Sequence, residues 1–377
     1  LKIFAGLVFF TPILVLFWQE NGLNFKQIMI LQSLYSILVV LLEVPTGYVA
    51  DIFGRKHSIS AASIFYATGI IVYSFGSNFY QFLIAELIWA FGVSLMSGAD
   101  SALIYDTLID LKQEKKFKKI SGNGNFYYLI ALSICSLTGG LIAKYGLRWP
   151  LIATGFGMIM MVPISFSLKE PKRHKKIFQK NYFYEIIQIF KFIFNQRKLK
   201  WLIIYSGLIF GFRQAALWFY QPYMQGVGID IIFFGVIFAL FNVIAALSSK
   251  YSEEIENKLG EKLSLGMLFI ILALSYFLMA NIYIKIGIIF IFIQQFIRGF
   301  ARITIDDYIN KLTSSDIRAT VLSVNNMSSR LFYALIIPFF GWMADIYTLP
   351  QTLMSIGIIA FFVGGFALIM LHKARAY

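Results

Sequence analysis

The chain has 377 residues, 59% of them hydrophobic and 14% charged, with a net charge of +14 and a mean hydropathy of +0.73. Soluble domains carry about 25% charged residues, so this composition excludes a water-soluble fold. The charge-free run from Leu263 to Ile284 has about 20 residues, enough to cross about 30 Å of hydrocarbon.

Apolar segments bounded by turn or charge signals predict twelve membrane helices, at 2–19, 25–50, 57–76, 80–108, 121–143, 147–168, 199–222, 230–249, 262–281, 283–309, 317–344 and 350–371. The first lacks a small-residue cleavage pattern and reads as a permanent span. Leu1 in the place of a Met implies that a few native residues precede it. Connections such as Glu20–Asn24 are short, so neighbouring helices run antiparallel. Cys135 is the single cysteine, which excludes an intrachain disulfide framework and a cysteine metal site. The three histidines, His57, His174 and His372, fall in polar segments between or after the spans. No metal or cofactor is expected.

The basic residues give the topology. Arg55 and Lys56, the run from Lys112 to Lys119, the central loop, Lys250 to Lys262, Lys311, Arg318 and the C-terminal Lys373 and Arg375 lie in loops on one side. The opposite loops hold Lys26, Lys144, Arg148 and Lys285. Positive loops stay cytoplasmic, so both termini and the central loop are expected there. Basic residues sorted in this way do not form a nucleic-acid groove. The expected division is an N-terminal six-helix bundle at 1–168, a basic linker at 169–198 and a C-terminal six-helix bundle at 199–377. Within the linker, "NYFYEIIQIFKFIF" (181–194) is amphipathic and is expected to lie on the membrane surface among lipids. A faint repeat at an offset of 201 lays "SGADSALIYD" (97–106) over "RGFARITIDD" (298–307). Duplicated halves are a transporter architecture.

Between the second and third spans stands "VPTGYVADIFGRKHS" (44–58). A phosphate loop needs G-x-x-x-x-G-K-[ST] between a strand and a helix, and this stretch has neither the spacing nor the setting. It resembles the signature loop of the major facilitator superfamily, G-x-x-x-D-x-x-G-R-K, through Gly47, Asp51, Gly54, Arg55 and Lys56. The likeness extends to the whole chain as twelve spans in two halves around a basic loop. "EVPTG" (43–47), "SGADSALIYD" and "RATVLS" (318–323) are similar to a bacterial branch of efflux carriers. The resemblance implies a conformational latch at this loop. Asp51 would face the positive dipole end of the eleventh span, capped at Ser314, Ser315 or Asp316, and Arg55 would reach Asp106. The competing role is a rigid turn with topology charges. The second-half counterpart, "SKYSEEIENKLGEK" (249–262), keeps only Gly260 and nearby charges. In the fifth span the glycine–proline motif of antiporters is reduced to Gly139 and Gly140, with Ala131, Cys135 and Ser136 at its other positions. That departure weakens an antiport assignment.

Ionisable residues inside spans are costly and tend to face a cavity or a partner. The tenth span carries Gln294, Arg298, Arg302 and Asp306 at steps of four, one helical stripe. The fourth carries Glu86 and Asp100, whose spacing puts both on one face of an unbroken helix, beside Trp89. The second carries Gln32, Tyr35 and Glu43, the fifth Tyr127, the seventh Arg213, Gln214 and Trp218, the eighth Asn242, and the eleventh Asn325, Asn326 and Arg330. The third, sixth, ninth and twelfth have no charge at their centres. The resemblance places the polar group around a substrate cavity and the apolar group toward lipid. With no histidine in a span, a buried carboxylate must carry any coupled proton. Glu86 and Asp100 are the candidates, then Glu43. Fixed ion pairs with Arg298, Arg302 or Arg330 are the competing role.

These features predict a monomeric secondary transporter that moves a small amphipathic molecule outward against protons. The alternative is uptake of a small organic anion, which the embedded arginines suit. An enzyme would need a nucleophile–base or metal constellation, and the spans contain none.

Overall fold

The computed structural model describes residues 1–171, 182–314 and 317–374. Among them every regular element is helical, and eleven segments are long and apolar enough to cross a membrane. Two contact units divide the chain. The first holds Leu1–Leu23, Leu34–Gln179 and Ile231–Ala239, and the second Asn24–Ser33, Lys180–Asp230 and Leu240–Tyr377.

The first unit opens with a departure from the sequence expectation. Residues 2–19 do not form one helix. They form α1 (Lys2–Ala5) and α2 (Leu14–Glu20), separated by an unwound segment. Pro12 has no amide hydrogen and biases Thr11 away from helical angles. The unwound backbone also needs partners at membrane depth, where water does not supply them. The Phe9 amide donates to the Thr154 hydroxyl at 2.9 Å. Close approach is possible because Gly139 and Gly157 lack side chains. A Cβ on Gly139 would lie 2.0 Å from the Phe9 carbonyl oxygen, and one on Gly157 2.8 Å from Leu7. Gly139 thus survives from the antiporter pattern at a position where its absent side chain admits another backbone. Gly140 does the same, at 2.9 Å from the Gly235 nitrogen.

Next come α3 (Phe25–Phe53), α4 (Arg55–Phe75), α5 (Phe79–Met96), α6 (Ala99–Asp110), α7 (Phe117–Ala143) and α8 (Trp149–Phe166). The first turns of α3 belong to the second unit and the rest to the first. α4 packs against α5 and α8. The predicted fourth span is α5 plus α6, broken at Ser97 and Gly98, where Gly98 takes φ +76°. Only glycine adopts that angle without strain.

The second unit contains α9 (Tyr182–Asn195), α10 (Arg197–Gly226), most of α11 (Ile232–Lys250), α12 (Ser252–Asn281), α13 (Ile289–Lys311), α14 (Arg318–Ile346) and α15 (Leu349–Lys373). α10 packs on α14, α15 and α13, and α12 on α15 and α13. The amphipathic α9 buries Ile189 and Ile193, leaves Phe194 exposed and lies against α10 and α14. α12 begins ten residues before the predicted span and is interrupted at Gly260, φ +72°. Gly54 precedes α4 with φ +113°, so the two loops share a left-handed glycine although little else of the motif is repeated. Gly98 and Gly299 are not equivalent in this sense. Gly299 lies inside the continuous α13, where a Cβ would meet the Ala245 carbonyl at 2.0 Å. α15 starts with a capping box between Thr348 and Gln351. It turns Phe361, Phe362 and Phe366 outward, as a helix facing lipid does.

Candidate functional site

Three polar groups stand out, two in the first unit and one in the second. The first is the loop between α3 and α4. Gly54 turns the chain so that Arg55 opens α4, and its Nε donates to Asp106 on α6 at 2.8 Å. Arg55 Nη2 is 3.7 Å from Asp51 on the turn before. Glu170, at the start of the linker, takes hydrogen bonds from the Arg55 and Lys56 amides at 2.9 and 2.7 Å. A carboxylate there satisfies two open donors of α4 and complements its dipole. Glu170 is invisible to motif reading because it lies more than a hundred residues away. Gly47 is exposed, and a Cβ there would meet nothing. α14 begins at Arg318 with Ile317 as a cap that makes no side-chain bond. Of the expected caps, Ser314 supplies a backbone carbonyl to Arg318, and Ser315 and Asp316 lie outside the described residues.

The second group is inside the first unit. Glu86 on α5 is buried and accepts from the Tyr73 hydroxyl of α4 at 2.5 Å. Tyr73 stacks on Phe82 and lies beside Trp18. Asp100 is not on one continuous helix with Glu86, because the chain breaks at Ser97 and Gly98. It is the first-turn acid of α6, accepts the Ser101 amide at 2.6 Å and pairs with Lys2 of α1. No motif in the sequence singles out Lys2. Trp89 packs against Tyr66 and Phe10, with ring centroids 4.9 and 6.2 Å away. Tyr35 and Glu43 are half-buried on α3. Tyr127 is exposed and packs on its neighbour Phe126.

The third group is in the second unit. Gln294 of α13 is fully buried, accepts from the Tyr220 hydroxyl of α10 at 2.6 Å and donates to Ser275 of α12 at 2.9 Å. One turn on, Arg298 donates to Asn242 of α11 at 2.7 Å. Arg213 of α10 donates to the side chain of its neighbour Gln214, and Trp218 Nε1 donates to Tyr333 of α14 at 2.5 Å. Asn325 is buried, and its side-chain oxygen has no hydrogen-bond partner. Asn326 is half-buried. The predicted stripe on α13 therefore divides. Gln294 and Arg298 belong to the interior, whereas Arg302 forms a 2.9 Å pair with Asp306 and its side chain is 51% exposed. Arg330 is exposed as well. Gln32 is buried in the first part of α3, next to Ser33, whose hydroxyl donates to the Ala334 carbonyl at 2.7 Å. Sequence reading missed Tyr220, Tyr73 and Ser275, since an aromatic or a serine in a span carries no signal until its partner is known. It also missed Asp345 at the end of α14, whose carboxylate accepts the Phe25 and Lys26 amides at 2.8 and 3.0 Å and caps α3.

The sequence profile of the Major Facilitator Superfamily matches residues 3–332. The chain is similar to the uncharacterized MFS-type transporter YxaM of Bacillus subtilis (strain 168), 23% identical over 327 residues that cover 84% of this chain and 80% of that protein. It is also similar to the uncharacterized MFS-type transporter MJ1560 of Methanocaldococcus jannaschii, 25% identical over 271 residues, 71% of this chain and 68% of that one. Among solved structures, the nucleoside transporter NupG superposes with a TM-score of 0.82 at 14% identity, covering 100% of this chain and 97% of that chain. A D-xylose-proton symporter superposes with a TM-score of 0.67 at 15% identity, covering 97% and 95%. At such identities the likeness carries the fold and leaves the cargo open.

Proposed function

Because the chain belongs to the Major Facilitator Superfamily, a family of transporters and not of enzymes, we propose that it is a proton-coupled secondary transporter that carries a small amphipathic molecule out of the cell by alternating access. The observation that carries this reading is where the polar side chains lie. Gln294, Arg298, Arg213 and Glu86 sit at least half-buried in helices that are apolar enough to cross a membrane. Buried polar groups at membrane depth are expensive unless they serve a path or a partner.

In this reading the α10–α13 group contacts the cargo and Glu86 carries the proton. Tyr73 donates a hydrogen bond to Glu86 and fixes the carboxylate against α4. A buried carboxylate on a spanning helix is the kind of group that relays protons in pumps and transporters. Asp100, paired with Lys2, is the second candidate. The loop built from Asp51, Arg55, Asp106 and Glu170 is the cytoplasmic latch. The basic loops set both termini in the cytoplasm, and one chain suffices for transport.

Counterflow in proteoliposomes tests the transport reading. Vesicles loaded with an unlabelled candidate compound should accumulate the labelled form transiently. A panel of drugs, amphiphiles and organic anions that yields no counterflow contradicts it.

A further inference from the structure

We propose that the cargo of this transporter is an organic anion, and that Arg213 and Arg298 hold its oxyanion group. The inference rests on the transporter reading above and names the chemistry of its cargo.

Two guanidinium groups lie in α10 and α13, half-buried within membrane-spanning helices. Neither has a carboxylate within ion-pair distance among the described residues. Arg213 donates to Gln214 and Arg298 to Asn242, both neutral amides. An amide oxygen orients a guanidinium and leaves its charge uncompensated. The buried Nε of Arg213 has no hydrogen-bond partner at all. Each arginine has five N–H donors, and one protein bond apiece leaves most of them open. The contrast lies on the same helix: Arg302, nearer the end of α13, is already neutralised by Asp306. An arginine that needed only structural support would carry the same kind of partner.

The surroundings are built to hold these charges in place. Gln294, one turn before Arg298, is locked by Tyr220 and Ser275. Tyr220 packs edge-on against Phe241, and Trp218 is fixed by Tyr333. Buried charges require compensation. A guanidinium offers parallel donors that match the two oxygens of a carboxylate or two of a phosphate. Tyr220, which both arginines influence, and the Phe241 ring packed on it supply an apolar wall, which fits an anion with an aromatic or aliphatic body.

Thermal unfolding of the detergent-purified protein tests the assignment. Benzoate and phenyl phosphate are the anionic probes, benzamide is the neutral match, and sodium chloride controls ionic strength. Either benzoate or phenyl phosphate should raise the melting temperature in a saturable way, and benzamide should not. Comparing the two anions separates a carboxylate site from a phosphate site. Arg213→Gln and Arg298→Gln should each weaken the apparent affinity about tenfold or more, and Lys285→Gln, in an exposed loop, should leave it unchanged. Equal stabilisation by benzamide, no stabilisation by either anion, or normal affinity in both arginine variants overturns the proposal. If the variants fail to fold, the benzoate–benzamide comparison on the unaltered protein decides. Counterflow of a neutral compound with no anion binding would sink the anion assignment and leave the transporter reading standing.

Discussion

Single residues decide the chemistry. Glu86 and Tyr73 form one unit, so their variants should differ in kind. Glu86→Gln removes the titrating group and should abolish coupled proton movement while leaving counterflow. Tyr73→Phe keeps the carboxylate, removes its hydrogen-bond donor and should slow transport while retaining coupled proton movement. Identical losses of counterflow in both variants would make the pair structural. Arg55→Gln breaks a contact between partly exposed groups, which contributes little to stability. It should slow transport by about tenfold with little change in melting temperature. A large fall in melting temperature with normal turnover would reduce the loop to a structural turn. The contact with Asp106 was legible in the sequence because motif and span ends placed both groups at one level. The pairing of Lys2 with Asp100 was not, since the two lie 98 residues apart and Asp100 opens a separate helix after the break at Gly98.

At the scale of elements, the two interrupted spans are the main correction to the sequence reading. Hydropathy counts apolar residues and does not register whether the backbone between them is wound. Local signals existed in Thr11-Pro12 and in Ser97-Gly98. The groups that stabilise the unwound segment, Thr154 and Gly139, come from other helices and could not be assigned from one sequence. Thr154→Val should leave the Phe9 amide without its partner and cost about 1–3 kcal/mol. Gly139→Ala forces a methyl group into the Phe9 carbonyl and should cost about as much, 1–3 kcal/mol as overpacking usually does. Melting temperatures of both variants check this, and unaltered values would mean the segment is not held by these contacts. The division of the α13 stripe has a related cause. Steps of four place Arg302 below Arg298, but only the structure shows that Asp306, one turn further, takes its charge.

For the whole molecule, composition and the long apolar runs were sufficient for an all-helical membrane protein, and the signature loop at Gly47–Lys56 for the family. The charge asymmetry of the loops predicts an orientation with both termini cytoplasmic. With Cys135 replaced by serine, a cysteine at Lys112 should react with an impermeant maleimide only from the cytoplasmic side, and one at Ser77 only from outside. The reverse pattern would invert the topology. What the sequence could not supply is the cargo. In the proposal above it depends on charges that lack a carboxylate after folding, such as Arg213 and Arg298. The most direct test of the account is a luminal pH dye in proteoliposomes made acidic inside. If benzoate or another transported compound, added outside, releases luminal protons, and Glu86→Gln loses that signal while retaining counterflow, proton exchange through this carboxylate stands. If labelled compound moves with no proton signal in the unaltered protein, the coupling is contradicted and Glu86 is a structural acid.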